Sequence, residues 1–434
     1  MSTDASLPPG PRAPSAVQTA VWFRRAQWLL GEGARRFGET FTLKILHEGS
    51  WVVLSNPEHV KQVFTGDPRV FHAGEGNRIL LPVLGAQSVL LLDEQPHLRE
   101  RKLLLAPFHG ERMKAYGELM AQIARAEIAR WPREQPYPLR PRMQAITLEI
   151  ILRAVFGVEQ GARASEQLRV ALRRLLDLLT NPRMLVFPVL MGPDRLARWG
   201  PFQRLMTGVD RLIYGGIEAR RRAGDLEQRQ DILSLLLQAR REDGSPMTDQ
   251  ELRDELLTLL VAGHETTATA LAWAVERLAR HPAKLDRLTE EVRAGENQYL
   301  EAVVTETLRL RPVISVVARR LREPVQIGDW RLPAGINVMP SIHLVHRRAD
   351  IYPEPERFLP ERFLERAPGT YTWIPFGGGV RRCLGAAFAQ FEMWVVLGEL
   401  VKQWRPRPSR PEGEPVLRRA ITETPRHDAE VVLT

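Results

Sequence analysis

The spacing of apolar and polar positions changes several times along the chain, and each change marks an element. Phe41-Thr42-Leu43-Lys44-Ile45 alternates, and Trp51-Val52-Val53-Leu54 is a short apolar run. With His47-Glu48-Gly49-Ser50 as the turn, the two read as a β-hairpin. Asn56-Pro57-Glu58 then opens a helix, because proline at the first helical position gives up only an N–H that the first turn leaves unused. Residues 66–95 are apolar but punctuated by Gly and Pro, which predicts a long loop of the kind that usually serves function. From Pro96 onward helical spacing dominates. Pro182, Pro188, Pro193 and Pro201 break it into a second irregular connection over 181–201.

Thr248-x-x-Glu251 has the form of a capping box. It begins the longest predicted helix, which His281-Pro282 ends. That is about 30 residues, or roughly 45 Å. The middle of this helix, Leu256–Ala262, is apolar on nearly every side and is expected to be buried all round. A Pro/Gly-rich segment over 311–376 carries short strands at Val325-Gln326-Ile327-Gly328 and Ile336-Asn337-Val338, and a last helix follows Cys383 and ends near Trp404. The fold class expected is mainly α with a small β portion. A proline-rich tail over 1–20 precedes one domain over 21–434. Its β-rich part is about 35–70, its helical part about 90–310 and 384–404, and its β/meander segment about 311–376.

Composition narrows the picture modestly. Of 434 residues, 44% are hydrophobic and 26% charged, ordinary values for a globular chain with a sizeable core. The formal net charge of +9 is spread along the sequence. No clustered basic patch with interleaved aromatics is present, so nucleic acid is not an expected partner. A solvated basic face and docking to an acidic protein both remain open. No run of 18 apolar residues suggests a transmembrane anchor. Met1–Pro14 lacks the apolar stretch of a secretory signal, and Trp22, Phe23 and Trp28 among Arg24, Arg25, Arg35 and Arg36 fit either a surface-lying or a packed helix. The single cysteine cannot form an intramolecular disulfide, which suits a reducing, cytoplasmic location.

That cysteine lies in Pro375-Phe376-Gly377-Gly378-Gly379-Val380-Arg381-Arg382-Cys383-Leu384-Gly385. Three glycines let a backbone curl tightly and approach a flat ligand. Cys383 is expected where a helix begins, and the unpaired N–H groups there favour a thiolate, as does Arg381. A zinc site would need three or four ligands, and no second cysteine exists. The stretch resembles the haem-binding signature of the cytochrome P450 family, F-x-x-G-x-R-x-C-x-G. Phe376, Gly379, Arg381, Cys383 and Gly385 fill every fixed position. Five fixed residues at about one in twenty each recur by chance roughly once in ~10⁴ chains. The resemblance implies haem b (iron protoporphyrin IX) with Cys383 as the iron ligand, the thiolate ligation that distinguishes this family.

Three further stretches resemble the same family in its order. Ala262-Gly263-His264-Glu265-Thr266-Thr267 is similar to the oxygen-activation motif A/G-G-x-D/E-T-T/S. The resemblance implies that Gly263 opens a groove, that Thr266 orients oxygen and water, and that Glu265 serves proton delivery; His264 is left to packing or surface. Read by itself, each Thr hydroxyl would simply bond back to the carbonyl at i−4. Glu306-Thr307-Leu308-Arg309 resembles the E-x-x-R motif, and Phe358-Leu359-Pro360-Glu361-Arg362-Phe363 the P-E-R-F segment. Together they imply a buried structural triad of Glu306, Arg309 and Arg362. His97-x-x-x-Arg101, Arg319 and Arg381 match the family's propionate anchors, with Arg320 a competitor of Arg319.

The function implied is insertion of one oxygen atom of O2 into a hydrophobic small molecule, a fatty acid, terpenoid, steroid or aromatic. No flavin or iron–sulfur motif is present, so electrons would come from a ferredoxin or flavodoxin with its reductase. Pocket walls are expected from the 70–92 and 181–200 segments, Ala262, Gly263 and Val313–Val317, Val316 and Val317 included. The alternatives are a peroxide-driven haem-thiolate enzyme and a non-catalytic haem sensor or carrier; both conflict with the Glu265–Thr266 pair. The connector Val292–Leu300 is shorter than in many members, a departure at the periphery.

Overall fold

The computed structural model describes residues 7–108, 112–157, 163–180 and 193–434. The chain divides into two compact units. One holds the chain up to Arg78 with Glu301–Cys383 and Val416–Thr424, and the other holds Ile79–Leu300, Leu384–Pro415 and Pro425–Thr434.

The first unit is built on a five-stranded sheet. Its strands are β1 (Thr40–Ile45), β2 (Gly49–Leu54), β3 (Phe71–His72), β4 (Arg319–Leu321) and β7 (Asn337–Pro340), in the spatial order β1-β2-β7-β4-β3. The hairpin β5 (Val325–Ile327) and β6 (Trp330–Leu332) stands apart. The first hairpin forms as its alternation predicts, with Thr40 opposite Leu54, and β2 runs parallel to β7 with Trp51 opposite Asn337. Side chains alternate across the sheet. Val52 and Leu54 join a core with Val60, Phe64, Leu321, Val338 and Ile374. Val53 points the other way, to Trp22, Leu30, Phe41, Leu43 and Met339. Asn56 caps the helix Pro57–Thr65 by accepting the Glu58 N–H.

The helix Ser15–Phe37 begins inside the stretch expected to be a tail. The extended proline segment ends at Pro14, and its Pro8 and Pro9 carbonyls are tied to Thr42 of β1. The 66–95 stretch is not one loop. It contains β3 and one-turn helices at Ala73–Gly76, Arg78–Leu80 and Leu81–Leu84, too short to leave a periodic signal.

The second unit is mainly helical, with one antiparallel strand pair, Pro406–Pro408 against Val431–Leu433. Thr248 and Glu251 form the reciprocal capping box at the start of a 31-residue central helix, Asp249–Ala279. This helix packs on the helix Arg140–Phe156. It is buried through Leu252–Thr258 and at Leu260, but the expected all-round burial fails at its end. Leu259 and Val261 are half-buried and Ala262 is exposed, so one face of the helix opens there. The last long helix, Ala386–Gln403, starts three residues after Cys383 rather than at it. Pro188 and the rest of the 181–192 connection lie outside the described residues.

Candidate active site

The cysteine loop is shaped by its glycines. Gly377 and Gly379 sit at φ +67° and +65°, in the left-handed region that disfavours a side chain. A Cβ at Gly379 would run into the Phe64 carbonyl oxygen, and one at Gly378 into the Phe64 ring. The loop therefore lies directly on the Pro57–Thr65 helix. Gly377 N–H donates to the Ile374 carbonyl (3.0 Å), Arg382 N–H to Gly379 (3.1 Å) and Cys383 N–H to Phe376 (2.9 Å). The Cys383 N–H is thus already paired within the loop, and the residue itself is exposed. Phe376 meets Trp373 edge-on at 6.0 Å.

Cations flank this loop within the same unit. Arg381 closes the short 3₁₀ turn Gly379–Arg381. Arg319 is buried on β4, donates to the Ala318 carbonyl (2.8 Å) and stands 5.9 Å over the Phe64 ring on which the loop rests. Arg320, the next residue, faces the opposite side of the strand, where its charge acts on Glu48. Val317 is the neighbour that a Cβ at Gly377 would meet, at 3.9 Å, while half-buried Val316 bridges to Ser341. A tight glycine cradle, one accessible thiol and guanidinium donors fit a flat metal-porphyrin carrying carboxylates. Among the described residues no group of three His, Cys, Asp or Glu could hold a bare metal ion.

Glu306, Arg309 and Arg362 are brought together. Glu306 and Arg309 are fully buried, and the guanidinium grips the carboxylate through two N–H groups at 2.6 and 2.9 Å. Arg362 Nε approaches at 3.4 Å, and the Leu359 N–H donates to Glu306 Oε1 (2.8 Å). Arg309 also donates to the carbonyls of His346, Pro355 and Arg357.

In the second unit, His97 and Arg101 share one face of the helix Glu94–Leu105, His97 buried and Arg101 half-buried. On the central helix, Glu265 is buried and its two oxygens accept from Arg140 Nη1 (2.9 Å) and Gln144 Nε2 (2.5 Å). Arg140 is itself held by Asp428 (2.6 Å). Thr266 donates to the Ala262 carbonyl at 2.7 Å, the local back-bond open to any mid-helix threonine. Gly263 sits against the neighbouring helix: a Cβ there would meet Ile151 at 3.1 Å, so the missing side chain permits close helix–helix approach. His264 is buried against Thr147 (2.9 Å), and burial, with the Arg140 and Arg173 charges, pushes its ring down to about 3.

Sequence reasoning missed the ties of Glu265. Arg140, Gln144 and Asp428 lie more than 100 positions away and belong to no motif. It also missed Glu392, buried on the last helix, where burial pushes the carboxyl well above its usual range against the counter-effect of a Thr267 hydrogen bond. A single acid inside the apolar run Phe391–Leu397 was the signal available for it.

Known proteins resemble this chain closely. The sequence profile described as cytochrome P450 matches residues 8–427. The protein named cytochrome P450 135B1 of Mycobacterium tuberculosis is 43% identical over 429 residues, covering 97% of this chain and 90% of the relative. Cytochrome P450 135A1 of the same species is 40% identical, covering 98% and 95%. A retinoic-acid-bound cyanobacterial CYP120A1 superposes with a TM-score of 0.86 at 24% identity, over 99% of this chain and 100% of that one. The haem domain of cytochrome P450DA gives 0.84 at 22% identity, over 99% and 98%. At these identities the two structures speak for the fold.

Proposed function

The chain belongs to the cytochrome P450 family, and on that premise we propose that it inserts one oxygen atom of O2 into a hydrophobic small molecule, drawing electrons from a ferredoxin or flavodoxin with its reductase. Membership supports a haem-thiolate monooxygenase in general and implies O2 and a redox partner. Haem, for which haem b is the form we assign, supplies the oxygen-activating chemistry when bound. In this reading Cys383 is the thiolate ligand, and Arg319, Arg381, His97 and Arg101 hold the propionates through charge-assisted hydrogen bonds. Phe376 and Gly385 flank the ligand. Glu306, Arg309 and Arg362 hold the protein framework beneath the loop.

The observation that carries the monooxygenase reading is the buried Glu265 next to Thr266, one turn from exposed Ala262. Glu265 is a carboxylate held in reserve. To pass a proton it must release Arg140 or Gln144, and Thr266 must swing its hydroxyl from the Ala262 carbonyl toward water. Ala262, Val316 and Val317 line the substrate side in this proposal, and their apolar character supports a fatty acid, terpenoid, steroid or aromatic substrate. Among the described residues no helix is long and apolar enough to cross a membrane. Together with the single cysteine, that supports a cytoplasmic enzyme, and the +9 charge supports an acidic donor protein.

The test compares turnover of a hydrophobic substrate, found by its spectral shift on binding, with ferredoxin, its reductase and NADPH against peroxide alone. Turnover that requires the electron donor supports the proposal. Turnover with peroxide alone favours a peroxide-driven enzyme, and none under either condition favours a sensor or carrier.

A further inference from the structure

We infer that His346 is a positioning residue for the cysteine loop, carrying the order of the Gln298–Leu310 helix into the backbone that leads to Cys383. The ionic triad does not reach that backbone. Glu306 accepts from Arg309, Leu359 and Arg362, and Arg309 and Arg362 donate further only to the carbonyls of His346, Pro353, Glu354, Pro355 and Arg357. Among the described residues, none of these bonds touches 374–383. The link is made by His346, fully buried at the end of the helix Ile342–Val345.

Its ring bonds in two directions. Nδ1 lies 3.1 Å from the Arg309 carbonyl oxygen, and Nε2 lies 2.8 Å from the Ile374 N–H. A carbonyl can only accept and a backbone N–H can only donate. The proton is therefore on Nδ1 and the lone pair on Nε2, and only the neutral ring serves both partners. The surroundings agree. Burial and the guanidiniums of Arg309 and Arg347 keep the imidazole neutral, and Tyr352 meets it edge-on at 6.4 Å. The backbone of His346 is fixed as well, its carbonyl accepting from Arg309 Nη1 (2.8 Å) and its N–H donating to Ile342 (3.0 Å).

What this ring holds is the last backbone donor before the loop. Residue 375 is proline and has no N–H. Ile374 is buried, its carbonyl accepts the Gly377 N–H, and Phe376 accepts the Cys383 N–H. A line of hydrogen bonds thus runs from Arg309 through His346 to Ile374 and on into the turn that carries the thiol. Trp373 adds a parallel tie, its indole N–H donating to the Thr305 carbonyl (3.1 Å). Removing the His346 acceptor strands a buried N–H at the entrance of the loop, a cost that shifts a local equilibrium by roughly 5- to 30-fold.

The inference rests on Cys383 being the haem ligand, and the experiment separates the two claims. His346→Leu removes both ring contacts. His346→Asn keeps a donor near Arg309 but cannot reach Ile374. His346→Gln places an amide oxygen near the Nε2 position. For each variant, haem content, melting of the haem-free chain and the fraction of loaded haem showing the red-shifted Soret band of the reduced carbon-monoxide complex are measured, with Cys383→Ser alongside. A positioning role predicts that this fraction, counted per haem bound, falls in Leu and Asn and recovers to within about twofold of wild type in Gln. A wild-type fraction in both Leu and Asn overturns the inference, as does a fall in Gln equal to that in Leu. If Cys383→Ser keeps the band, the ligand assignment itself fails instead.

Discussion

Glu306→Gln removes one negative charge from a fully buried position, and the structure sets the size of the effect. The carboxylate receives four donors: two from Arg309, the Leu359 N–H and the Arg362 Nε. A glutamine has one acceptor oxygen, and its NH2 would face guanidinium N–H groups, donor against donor. Arg309 would then be a fully buried cation held only by carbonyl oxygens. Breaking a buried pair by removing one partner costs about 3–5 kcal/mol. The three carbonyls that remain on Arg309 argue for the lower end, about 3 kcal/mol, which is roughly 100-fold in a local equilibrium. A stability of order 5–15 kcal/mol survives such a loss. The variant is therefore expected to fold but to hold little haem and to melt earlier. Haem per protein by pyridine haemochrome, with circular-dichroism melting of the same sample, measures both. Wild-type haem content together with an unchanged melting temperature would refute the reasoning.

Other expectations follow from single features. Gly379→Ala must carry a side chain at φ +65°, about 1–2 kcal/mol before its collision with the Phe64 carbonyl, and should lower haem loading, whereas Gly31→Ala, with open space and a helical backbone, should not; equal loading in both contradicts the cradle. Glu265→Gln removes the carboxylate to which we assign proton delivery and should slow turnover by about 100-fold with substrate binding retained, as read by steady-state rates and the spectral binding shift; unchanged turnover removes Glu265 from the reaction. Glu255 accepts the Val89 N–H (2.7 Å), and burial pushes its carboxyl up to about 9. Because the folded chain then holds a proton that the unfolded chain has released, this group's contribution is most favourable below its ordinary value near 4.5 and declines as pH rises toward 9. Glu255→Gln should flatten the fall in melting temperature across that window, and an identical pH profile would contradict the assignment.

What the sequence revealed and what it hid divide by range. The β1–β2 hairpin, the Asn56 cap and the Thr248–Glu251 box were legible because each rests on residues within a few positions of one another. Family motifs added the cysteine loop and the E-x-x-R pair, whose members are also close in sequence. The partners of Glu265 were not legible, since Arg140 and Asp428 meet it only through tertiary packing. The contact of Gly263 with Ile151 was not legible for the same reason, since a helical glycine does not announce which neighbour packs on it. The open turn at Ala262 was hidden because apolar composition reports a preference for burial without saying which face receives a partner. Cys383 was expected at a helix start, but the 3₁₀ turn before it and Gly385 after it delay the helix to Ala386.

The central claim is that the Cys383 sulfur, as thiolate, ligates the haem iron. The most direct measurement is the reduced carbon-monoxide difference spectrum of Cys383→Ser beside the wild-type chain. Ligation by this sulfur predicts the red-shifted Soret band in the wild type and its loss in the variant. A band of undiminished position and intensity in Cys383→Ser would contradict it.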